Sequence, residues 1–156
     1  MQAGDFVLVE GHGGISRVIE FGERIRDGKK AAKFSHAAWV MDDKGRVLEA
    51  TGKGITWGYI SGYKDYKVVD SGLSKDNRLQ ACHFALSQHG VRYGYLDILS
   101  IALNILTPPV IDFTTTESSI CSEFVVRCLE HGGFIIPKHK AASQTMPSDL
   151  AMWFNC

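Results

Sequence analysis

The chain reads as an α+β fold, a small antiparallel sheet packed against helices with one cysteine at a helix N-terminus. Three observations predict it. Short apolar runs bounded by turn residues fill the stretch from Phe6 to Val69, the mark of strands. From Asp76 onward apolar residues recur at i, i+3 and i+4, the spacing of helices with one buried face. Just before Cys121 runs Thr114-Thr115-Thr116-Glu117-Ser118-Ser119, residues that favour turns and N-caps, so Cys121 is expected in the first turn of its helix.

Gly4-Asp5 leads into a first strand, Phe6 to Val9, which Gly11-His12-Gly13-Gly14 breaks. Ile15, Val18, Ile19 and Ile25 suggest a short helix capped near Ser16. Phe34 to Met41 and Arg46 to Thr51 are the next strands. Asp42-Asp43-Lys44-Gly45 between them is hairpin chemistry, with Gly45 suited to the left-handed conformation of a bulged turn. Gly52 to Gly62, rich in glycine and carrying Trp57 and Tyr59, is given no regular element, and Lys67 to Val69 is a further strand. Asp76 to Gln88 is a helix with Leu79, Cys82, His83 and Leu86 on one face, ended by Gly90. Leu96 to Leu106 is an unusually apolar helix that Pro108-Pro109 terminates. The Cys121 helix turns Phe124, Val125, Cys128 and Leu129 inward and stops at Gly132-Gly133. A last helix opens at Pro147-Ser148 and carries Leu150, Trp153 and Phe154. With no repeat, low-complexity run or linker, residues 1–156 form a single domain.

Composition excludes several classes. Lys plus Arg equal Asp plus Glu at 17 each, so no global field draws the chain to nucleic acid or to an anionic membrane. The longest apolar stretch, Ile98 to Ile111, is interrupted by Asn104 and Pro108-Pro109 and is too short for a membrane span. The first residues lack the charged-then-apolar pattern of a signal peptide. That fits a cytoplasmic protein, or one carried to a cell wall by a phage particle or a secretion apparatus. Four cysteines without zinc spacing and histidines scattered at His12, His83, His89, His131 and His139 give no metal pattern. Cys82 and Cys128 read as core thiols, Cys156 as a spectator, and His131 as a cap on its helix dipole. Gly11-x-Gly13-Gly14 lacks the Lys-Ser/Thr of a phosphate loop. No metal or cofactor is expected.

The chemistry-bearing residues are Cys121, His36 and Glu49. Unpaired N–H groups and the positive dipole end at a helix start stabilise a thiolate, and a thiolate needs a base or ion-pair partner, most often a histidine. The hairpin offers a geometric test for that partner. If Met41 faces Arg46, then Ala38 faces Glu49 and His36 faces Thr51. Side chains alternate with period two, so His36 and Glu49 become diagonal neighbours on one sheet face. A one-residue slip would part them. A carboxylate beside an imidazole fixes its tautomer and stabilises the imidazolium, the third role in a Cys-His-acid triad.

The order Gly4-Asp5, Ser35-His36, Glu49-Ala50, Gly90 with Tyr93-Gly94-Tyr95, Cys121-Ser122-Glu123, then Pro147-Ser148-Asp149-Leu150 resembles the YiiX/YebB-like branch of the NlpC-type cysteine peptidase superfamily. The resemblance runs from Gly4 to Leu150 and implies a circularly permuted papain-like fold, the histidine strand preceding the cysteine helix. It implies Cys121 as nucleophile, His36 as base and Glu49 as the residue that orients it. Ser35, Tyr95 and Ser122 are candidate pocket-lining residues beside them, with packing the commoner role for a residue such as Tyr95. It implies cleavage of amide bonds, often in peptidoglycan-type peptides, with a peptide or muropeptide as partner. The segment between Tyr95 and Cys121 is longer than the branch usually has. The same permuted order occurs in lecithin retinol acyltransferase-like enzymes, so a lipid acyl hydrolase or transferase stays open as an alternative, with Ile98 to Ile111 as a lid over an acyl chain. A non-catalytic binding module on the same fold is the third reading.

Overall fold

In the computed structural model the residues described are 1–11, 33–51, 53–92, 113–137 and 141–156. Among them five strands form one antiparallel sheet and three helices pack on it. The strands are β1 (Phe6–Glu10), β2 (Phe34–Val40), β3 (Arg46–Thr51), β4 (Gly54–Tyr59) and β5 (Tyr66–Val69); the helices are α1 (Lys75–Ser87), α2 (Phe113–His131) and α3 (Pro147–Trp153). The sheet order is β4-β3-β2-β1-β5. The short helix expected near Ser16, the apolar helix from Leu96 to Leu106 and Tyr95 all lie outside the described residues.

The β2–β3 hairpin has the expected register. Trp39 pairs with Leu48 and Val40 with Val47, and the Met41 amide bonds the Arg46 carbonyl at 2.8 Å. Gly45 takes φ +85°, the left-handed value that the bulged turn requires. Gly52 to Gly62, expected to be irregular, instead supplies β4, paired with β3 from Arg46↔Tyr59 to Thr51↔Gly54. Glycine-rich sequence hid a strand whose pattern comes from one buried apolar side chain, Ile55, beside exposed aromatics.

Two cores flank the sheet. Phe6, Leu8, Phe34, Ala37, Trp39, Leu48, Ala50 and Ile55 face the helices, where Ala81, Ala85, Phe124, Val125, Leu129 and Leu150 meet them. On the other face Val7, Ala38, Val40 and Val47 form a smaller cluster under Val9, Ile60 and Tyr63. Simple alternation would put Phe34 on the same face as His36. It does not, because Val9 pairs with His36 while Glu10 pairs with Phe34. Ser35 is thus the extra residue of a β-bulge, which returns Phe34 to the helix-facing core and bends the strand beside His36.

Two helices differ from expectation. On α1 the buried residues are Arg78, Ala81, Cys82 and Ala85, whereas Leu79 and Leu86 are 58% and 51% exposed. Small alanines let α1 lie close to α2, and Arg78 turns inward to carboxylates. Its guanidinium bonds Asp5 Oδ1 at 2.5 Å, Asp70 Oδ1 and the carbonyls of Ala3 and Leu73. The α2 helix begins at Phe113, not beside Cys121. The Thr/Ser run that reads as a cap is itself helical, since propensity is a weak prior. Its far end is as expected: His131 is the last residue, Gly133 has φ +83°, and His131 stacks on Phe84 of α1 with ring centroids 3.8 Å apart. None of the helices among the described residues is long and apolar enough to cross a membrane.

Candidate active site

β2 and β3 are paired only at Trp39↔Leu48 and Val40↔Val47. Beyond those pairs β3 continues on β4 and β2 continues on β1. At this parted end α2, packed on both strands, brings Cys121 to His36, and the two side chains are hydrogen-bonded. His36 Nε2–H donates to Glu49 Oε2 at 2.7 Å, which leaves Nδ1 as the ring nitrogen that serves the thiol. The diagonal contact expected from the hairpin register is therefore present. The three groups form a line from thiol to imidazole to carboxylate.

Their environments are graded. Cys121 is fully enclosed, at 0% exposure, while the side chains of His36 and Glu49 are 25% and 18% exposed. Burial of the ring opposes its charging. Against burial stand the negative charge and hydrogen bond of Cys121, then the hydrogen bond and charge of Glu49, and together they raise the His36 pKa to about 10. The hydrogen bond from His36 holds the Glu49 carboxyl below the usual carboxylate range, against its own desolvation and with help from Tyr63. The arrangement thus favours a charged imidazolium hydrogen-bonded to an ionised Glu49. Cys82 and Cys128 have their thiols pushed up by burial, which keeps them protonated and inert.

One expected feature is corrected. With α2 starting at Phe113, Cys121 lies about two turns inside the helix, so its N–H and that of Ser122 are spent on carbonyls four residues back. Orphan amides and the dipole end belong to the first turn, so they neither activate Cys121 nor offer it an oxyanion site. The thiol's electrostatic partner is His36. Of the expected pocket residues, Ser35 is partly buried at the bulge next to His36 and Ser122 is fully buried beside Cys121. Among the described residues no three His, Cys, Asp or Glu side chains come together as a metal site.

Tyr63 was not anticipated. Its hydroxyl donates to Glu49 Oε2 at 2.8 Å, and its ring stands edge-on to His36 with centroids 6.1 Å apart. Its only sequence signal is its place just after the turn that ends β4. Set against protein-family models, curated proteins and solved structures, the chain matches none of them.

Proposed function

We propose that this chain is a cysteine hydrolase that cleaves amide bonds through a thioester intermediate, acting on peptidoglycan-type peptides. The observation that carries the reading is the single imidazole hydrogen-bonded to both Cys121 and Glu49. Cys121 Sγ, as thiolate, attacks the carbonyl carbon. The C–N bond then breaks as His36 passes its proton to the leaving amine. Water attacks the thioester, His36 takes the water's proton, and the C–S bond breaks to free the acid and restore the thiolate. Glu49 holds the ring in the tautomer that presents Nδ1 to sulfur and stabilises it while charged. The substrate class rests on the ordered motifs that resemble the permuted NlpC-type peptidases.

The test is mass spectrometry of the intact protein after exposure to electrophilic peptide, muropeptide and acyl-ester probes. The reading expects an adduct on Cys121 from peptide-based probes, lost in His36→Ala. An adduct from acyl esters alone would move the substrate to lipids, and no adduct on Cys121 would remove the reading.

A further inference from the structure

Glu49 is held at one oxygen and given room at the other. Oε2 accepts from His36 Nε2 at 2.7 Å and from the Tyr63 hydroxyl at 2.8 Å. On the other side, a Cβ at Gly58 would collide with Oε1 and stand 3.3 Å from Val47 Cγ2. Strand β4 has room for this carboxylate because position 58 carries no side chain. Gly58 pairs with Val47, and Tyr63 follows the 3-10 turn Ile60–Gly62 at the end of β4. One hairpin therefore supplies the carboxylate and its cradle.

We propose that Tyr63 is a positioning residue of the site, which seats Glu49 against Gly58 and keeps it ionised so that its charge reaches His36. The inference rests on the hydrolase reading and adds a fourth residue to it. Two donors fill the lone pairs of Oε2, while Oε1 takes the space that a side chain at position 58 would need. The carboxylate then cannot rotate away from the imidazole without losing both bonds. Hydrogen bonds to the charged form also favour that form in a half-buried site. Removing the phenol hydroxyl leaves one lone pair of a desolvated carboxylate unfilled, and Glu49 takes up a proton more readily. A protonated Glu49 no longer supports an imidazolium. Among the described residues the titratable groups facing Glu49 are His36 from β2 and Tyr63 itself, and Cys121 on α2 acts on both of these. Tyr63 stays a donor at all working pH values, because burial and then the charge of Glu49 raise its pKa well above the tyrosine range.

The experiment uses the full chain and Tyr63→Phe, which removes one oxygen and keeps the ring. Two readouts are followed against pH: the 13C carboxyl signal of Glu49 and the rate of iodoacetamide reaction at Cys121. The proposal expects the Glu49 titration and the acid limb of Cys121 reactivity to move up together by about one pH unit, the scale of one hydrogen bond to a charged group. In a Glu49→Gln background the Tyr63→Phe change should add nothing. Gly58→Ala, which displaces the carboxylate with Tyr63 intact, should reproduce the upward shift. An unmoved Glu49 titration in Tyr63→Phe, or an equal effect of Tyr63→Phe with and without Glu49, overturns the proposal. If peptide-based and acyl-ester electrophiles both leave Cys121 unmodified in the wild type, the hydrolase reading fails, and the Glu49 titration still decides on Tyr63.

Discussion

His36 owes its charge to two neighbours on different elements, Cys121 on α2 and Glu49 on β3. Cys121→Ser removes the larger favourable influence, so the His36 titration followed by imidazole NMR should drop well below about 10; an unchanged titration would mean that Cys121 does not act on the ring. The stability consequence has a definite sign. A pKa raised from 6.5 to about 10 stabilises the fold fully below 6.5, and the contribution is lost as pH climbs through about 10. The melting-temperature advantage of the wild type over His36→Gln should therefore shrink across that window; a constant gap would count against a charged ring. In turnover assays Cys121→Ala and His36→Ala should abolish activity, while Glu49→Gln leaves a measurable rate. Full activity in Glu49→Gln would assign the orienting role elsewhere. His36 and Glu49 were legible as partners because a two-residue period and one turn fix their relation. Tyr63 was not: its contact with Glu49 depends on how far the 3-10 turn after β4 folds back, which no periodicity encodes.

At the level of elements, the strands were readable where turn chemistry bounds them, and the helix faces were less so. Leucines on α1 suggested a face that the structure leaves in solvent, because the packing surface is made of Ala81 and Ala85 and the inward charge of Arg78 is met by Asp5 and Asp70. That network ties α1 to the entry of β1 and the exit of β5. Arg78→Met leaves Asp5 buried without its cation and should cost about 3–5 kcal/mol in urea unfolding. Leu79→Ser and Leu86→Ser, at exposed positions, should each change stability by no more than about 0.5 kcal/mol. A large loss at either leucine, or a small one at Arg78, would reverse this assignment of the packing face. The start of α2 was misread for a related reason. Ser and Thr are good caps and also tolerable helix residues, and local sequence does not choose between the two.

Across the whole molecule, the four residues of the site come from strands β2 and β3, the turn after β4, and helix α2. Each depends on the seam where β2 and β3 part. The site therefore exists only in the assembled fold, and its proposed nucleophile is also its most enclosed group. A sulfur with no contact to solvent cannot meet a reagent until the protein breathes, so chemical labelling becomes a clock for that breathing. At low iodoacetamide the Cys121 labelling rate should rise in proportion to reagent. At high concentration it should level off at the rate of opening, and a second alkylating agent of different intrinsic reactivity should reach the same ceiling. Strict proportionality at every concentration would mean that reclosing outpaces labelling throughout. The ceiling, where reached, is the rate at which the fold uncovers this sulfur to anything that must touch it.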